Sequence, residues 1–190
     1  MALVERWNAV NGLAGARAII VRTLMLLALV SIASGVRGQG RTGGCAGLTA
    51  PERELARLFE ETREQRRRVV RCDPVLSRVA RARAVDMGTR SYFRHVTPEG
   101  DGPNRQVEAA GYALPSIYSR RRSANNSEVI TAGNETPQEA WRSWLGSRSH
   151  RRQVLGLTAF FAEQTDYGVG HAEIPNSRYQ HYWVLIAARH

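Results

Sequence analysis

A chain of 190 residues has room for one folded domain and an appendage, because single cores commonly use about 100 to 200 residues. The 43% apolar content is ordinary for a globular protein. The net charge is +10 and every one of the 27 basic residues is arginine; no nucleic-acid recognition element accompanies that charge, which argues against a nucleic-acid partner.

Met1 to about Gly38 reads as a signal peptide: Arg6, Arg17 and Arg22 precede an apolar run from Leu24 to Val36, followed by small residues. The run is shorter than the roughly 20 apolar residues a membrane span needs. An uncleaved anchor, the only membrane contact foreseen, is the alternative. Cleavage after Gly38 leaves a mature charge of +7. Residues 39–50, rich in glycine and threonine, form a flexible lead-in to a domain over 51–190. Export makes Cys45 and Cys72 a natural disulfide pair, since oxidising compartments preserve such bonds. The arginine runs at 66–68, 120–122 and 151–152 would draw an exported protein to anionic surfaces; the first and third read more simply as solvated faces.

A first helix is expected from Thr49, with Pro51 in its first turn and Leu55, Leu58 and Phe59 on its buried stripe. Asp73-Pro74 opens a second, with an N-cap followed by proline where its missing N–H is harmless. Leu76, Ala80, Ala84 and Met87 share a face of that helix, and its small alanines permit close approach of another layer. Gly88 is expected to loosen the helix before Tyr92-Phe93 delivers the chain to His95, at the edge of the irregular segment Thr97–Pro103. A short helix from Pro103 to Ala110 ends at Gly111, a left-handed terminator. Residues 112–124 read as a flexible insertion.

Glu128-Val-Ile-Thr131 has strand propensity. Thr136-Pro-Gln-Glu139 is a capping box that starts a helix carrying Trp141 and Trp144; after a corner at Gly146-Ser147, His150 heads a further turn of helix. Tyr167–Ile174 and Tyr179–Ala188 form a final antiparallel hairpin. His171 and His181 fall on its strands: a facing pair could bind metal, and exposed strand histidines are the plainer account. Helices first and strands last give an α+β domain.

The ordered set of Asp86-Met87, His95 with Pro98 and Gly100, Arg105, Ala110-Gly111-Tyr112, Glu128-Val-Ile, Trp144, Ser147, His150-Arg151, Gly168-Val-Gly170 and Tyr182-Trp183-Val184 resembles the bacterial branch of the CAP superfamily, or SCP domain. The resemblance runs from Leu55 to the C-terminus. It implies a three-layer α-β-α sandwich with a small, mostly antiparallel sheet. It also implies a central cleft, in which His95 and His150 match the two histidines that bind a divalent cation in some members, and Glu128 matches the first of two cleft glutamates. Ser147 stands where the second glutamate would be.

These matches make His95 and His150 candidate ligands for Zn²⁺ or Mg²⁺, with Glu128, Ser147 and Trp144 as cleft residues. The family has no agreed enzymatic activity. The expectation is therefore a monomeric, secreted or periplasmic protein of the cell envelope that acts as a binding module rather than an enzyme, taking a cation or a lipid, sterol-like or cell-envelope ligand. The competing expectations are a metal-dependent hydrolase with Glu128 as general base and a membrane-surface protein held by its N-terminal segment.

Overall fold

Thr49 accepts a hydrogen bond from the Glu52 backbone N–H while the Glu52 carboxylate accepts one from the Thr49 N–H, and this reciprocal cap opens α1 (Ala50–Glu61). The computed structural model describes residues 45–190; the expected signal peptide (1–38) and the first part of the lead-in lie outside the described residues. Cys45 and Cys72 are joined in a disulfide, which fastens the chain ahead of α1 to β1 (Arg71–Cys72). Asp73 then caps α2 (Pro74–Thr89) by accepting from the Val75 and Leu76 N–H groups. The remaining elements are α3 (Pro103–Ala109), β2 (Glu128–Ala132), α4 (Pro137–Gly146), α5 (Arg148–Val154), α6 (Ala159–Ala162), β3 (Asp166–Glu173) and β4 (His181–Ala188).

The four strands lie in the order β1-β3-β4-β2; β1 runs parallel to β3 and the other pairs are antiparallel. Both faces of the sheet are covered, which is why β4 is apolar almost throughout rather than alternating with polar residues. Trp183, Leu185 and Ala187 join Val129, Tyr167 and Val169 in a core with residues of α1, α4 and α5. Tyr182, Val184, Ile186 and Ala188 join Ile130 and Ala172 in a second core with residues of α2 and α3. This is the three-layer α-β-α arrangement with a small, mostly antiparallel sheet.

The α2 layer approaches closely because β3 offers it no side chain at two positions. A Cβ placed on Gly168 would stand 2.2 Å from backbone atoms of Leu76 and Ser77, and one on Gly170 2.2 Å from those of Ala80 and Arg81. Gly88 has the same purpose, and here the structure differs from expectation: α2 continues past it to Thr89, and a Cβ would meet the Ile174 side chain at 2.6 Å.

Two further expectations are corrected. Residues 112–124 are anchored rather than flexible: Tyr112, Leu114 and Tyr118 are buried, the Tyr112 hydroxyl donates to Asp166 Oδ2 at 2.8 Å, and the Tyr118 hydroxyl accepts from Gln164 Nε2 at 3.1 Å. The run at 66–68 is not wholly solvated. Arg67 is buried, and its guanidinium donates to the carbonyls of Gln153 (2.8 Å), Val154 (2.9 Å) and Gln164 (2.6 Å). It thereby satisfies the carbonyl end of α5, which carries partial negative charge. Burial pushes the Arg67 pKa down to about 10. No helix among the described residues is long and apolar enough to cross a membrane.

Candidate functional site

Arg83 occupies the same buried stripe of α2 as Leu76, Ala80, Ala84 and Met87, and is itself 1% exposed. A cation on an apolar face must find acceptors in the interior, and Arg83 finds several. Its Nε donates to Glu128 Oε2 at 3.0 Å, its Nη2 donates to the carbonyls of Arg94 (2.9 Å) and His95 (3.1 Å), and its Nη1 donates to the Tyr92 hydroxyl. That hydroxyl in turn donates to the Asp86 carboxylate. The two carbonyl contacts fasten the backbone that carries His95 directly to α2.

Glu128 opens β2 and is positioned by Asn125, whose Oδ1 accepts from the Glu128 N–H at 2.9 Å while its Nδ2 donates to the Glu128 carbonyl at 3.0 Å. One carboxylate oxygen takes the bond from Arg83. The other, Oε1, accepts from His95 Nδ1 at 2.9 Å. In the neutral ring that bond fixes the proton on Nδ1 and leaves the lone pair on Nε2, as a carboxylate orienting a metal-binding histidine does.

His150 lies on α5, behind Ser147 at the helix N-cap position. Burial lowers its pKa and the nearby His95 ring lowers it further, so His150 favours its neutral form. The structure therefore joins Glu128 to His95 by a hydrogen bond and sets His150 within electrostatic reach of His95. Together they offer two imidazoles, one held by a buried carboxylate, which suits an open cation site completed by exchangeable water.

Other sequence expectations are placed differently. Glu128 is 1% exposed with both oxygens engaged, so it positions His95 and is not a free base. Trp144 is fully buried in the α1–α4 core and does not wall an accessible cleft. Ser147 Oγ faces Ser149 Oγ at 3.1 Å. Phe93 is the exposed aromatic here, 5.4 Å from the Tyr179 ring. No group of three or more His, Cys, Asp or Glu side chains among the described residues is arranged to hold a metal. Arg83 is the functional residue that sequence reasoning missed, although its place in the stripe 76, 80, 84, 87 was the signal.

Comparison with known proteins bears on this arrangement. The family model described as CAP: Cysteine-rich secretory protein family matches residues 55–186. The chain belongs to this family. A curated relative, the uncharacterized protein YkwD of Bacillus subtilis, is 27% identical over 133 residues, covering 70% of this chain and 46% of its own length; the chain thus spans about half of that relative. Two solved structures share the fold. An outer surface protein of Borrelia burgdorferi has a TM-score of 0.54 at 18% identity, with 73% of this chain and 90% of that one covered. An extracellular protein of Bacillus anthracis containing an SCP domain gives 0.55 at 19% identity, with 73% and 40% covered.

Proposed function

We propose that this CAP protein is exported and acts as a binding module outside the cytoplasm, with His95 and His150 holding a divalent cation of the zinc type. The reading is carried by the Arg83–Glu128–His95 chain of contacts, in which a buried ion pair fixes one imidazole while burial favours the neutral form of its neighbour. The extracellular and outer-surface relatives, and the disulfide, support the location.

Neutral imidazole is the ligand form of histidine, and the orienting carboxylate makes the ring more basic toward a metal. When bound, such an ion would supply Lewis acidity and exchangeable water positions to which an oxygen-bearing ligand could attach. The protein's own contribution is positioning: α2 fixes Arg83, Arg83 fixes Glu128 and the His95 carbonyl, and Glu128 fixes the ring. The engaged Glu128 carboxylate supplies no free general base, which favours binding over hydrolysis.

Imidazole ¹⁵N resonances followed during Zn²⁺ addition to the full chain test this site by site. The His95 and His150 signals should shift together, and Glu128→Gln should weaken binding by about 10- to 100-fold. Signals of both rings that stay in place at saturating Zn²⁺ reject the reading.

A further inference from the structure

At the end of the sheet away from the β1 pairing, two more histidines meet. His171 on β3 and His181 on β4 are diagonal neighbours across the antiparallel pair, because His171 stands opposite Trp183 and Glu173 opposite His181. His171 Nε2 lies 3.3 Å from His181 Nδ1. The ring planes differ by 7° and the centroids are 5.5 Å apart, too far for face-to-face stacking, so the two nitrogens address each other edge to edge. The face of the His171 ring is meanwhile laid on the Trp183 indole, 3.9 Å between centroids.

From this geometry we propose that His171 and His181 form a second transition-metal site, taking Zn²⁺ or Cu²⁺, separate from the His95–His150 cleft. Two imidazole nitrogens bound at roughly 2.0–2.1 Å about a tetrahedral ion are separated by about 3.3 Å, the spacing the two rings already have. A hydrogen bond at this distance places a proton on one of the two facing nitrogens. For both lone pairs to reach an ion, the donor ring shifts its proton to its other nitrogen, and the rings pivot within their common plane so that the lone pairs converge. That pivot preserves the His171–Trp183 stack.

The surroundings of His171 favour the neutral ring that binding requires. Burial lowers the His171 pKa and His181 lowers it further, opposed by the weaker pulls of Glu52 and Glu173. Glu52, from α1, is itself paired with Arg81 of α2, and its Oε1 accepts from the His171 backbone N–H at 3.2 Å, which pins the strand at this point. Glu173 is exposed and shares a sheet face with both histidines, since it is two residues from one and directly across from the other. The three carboxyl and imidazole groups do not converge as they stand. The site is therefore a two-histidine site open to water, with Glu173 a carboxylate able to swing in and add negative charge. Imidazole ligands suit both zinc and copper, and copper binds more tightly.

The contact with Trp183 gives the test its readout, because Cu²⁺ bound to a ring stacked on an indole quenches its fluorescence. Untagged full-length protein carrying His95→Ala and His150→Ala removes the other cleft and should still show one saturable quenching event with Cu²⁺, and one equivalent of Zn²⁺ by calorimetry. Adding His181→Ala, which leaves the His171–Trp183 stack in place, should weaken both by at least tenfold. His181→Gln serves if circular dichroism shows that the alanine variant does not fold. Equal affinity with and without His181, or no saturable binding in the His95→Ala, His150→Ala protein, overturns the site. Either result leaves the His95–His150 reading to its own resonances.

Discussion

The Arg83 guanidinium and the Glu128 carboxylate meet at 3.0 Å with 1% and 0% of their side chains exposed, across 45 residues of sequence. Burying two charges is favourable only when each has its partner and its remaining donors or acceptors are filled, and both conditions hold here. The pair joins α2 to β2 and simultaneously sets the orientation of His95, so its loss would be felt in stability as well as in the site.

Arg83→Met should destabilise the protein by about 3–5 kcal/mol, the usual consequence of leaving a buried charge unpaired. In a domain of this size that corresponds to a fall in Tm of roughly 10 °C. Arg83→Met combined with Glu128→Gln should cost less than the sum of the two single changes, because the second removes the charge that the first strands. Urea unfolding of the four proteins measures this coupling. Strict additivity would show that the two groups do not depend on each other.

Local signals made much of the architecture legible. Thr136-Pro-Gln-Glu139 forms the reciprocal cap it spells, the stripe through Leu76, Ala80, Ala84 and Met87 is buried, and the last two strands pair antiparallel. The meeting of His95 with Glu128 was legible only through family resemblance, because nothing local to either residue points to the other. What could not be read depended on distant partners. Arg67 looks like one of three exposed arginines until the ends of α5 and the 156–165 segment arrive to accept its protons. The 112–124 segment has no helical or strand periodicity because contacts from its side chains hold it, such as Tyr112 to Asp166. β1 is two residues long, too short for any period to show.

Stability should decline as the pH falls through the histidine range in metal-free buffer. His150 and His171 both have folded-state pKa values below the ordinary 6.5, each chiefly through burial. Between the lowered folded value and 6.5 the unfolded chain binds more protons than the folded one. Their contribution is therefore complete above about pH 6.5 and is lost progressively as pH drops through the folded values. Urea midpoints with chelator present should be nearly equal at pH 8 and 6.5 and lower at pH 5, and the decline from 6.5 to 5 should be shallower in His150→Gln. A midpoint unchanged between pH 6.5 and 5 would contradict the assigned direction.

One of the two closest approaches of α2 to the sheet gives a sharp stability contrast. At Gly170 an added methyl has backbone atoms of Ala80 and Arg81 2.2 Å away, and main-chain atoms cannot rotate aside as the tip of a side chain can. Relief requires α2 to lift from the sheet, which would also disturb Arg83 three residues along the helix. Gly170→Ala should therefore cost about 3 kcal/mol or more, at the upper end for overpacking a core. Gly146→Ala is the matched control, since nothing lies within 4 Å of the added Cβ and alanine is the better helix former by up to about 1 kcal/mol. Thermal unfolding should place Gly170→Ala far below wild type and Gly146→Ala near or above it. If α2 is displaced as argued, Gly170→Ala should also shift the His95 imidazole resonances while the protein remains folded, because the helix that moves is the one holding Glu128 through Arg83.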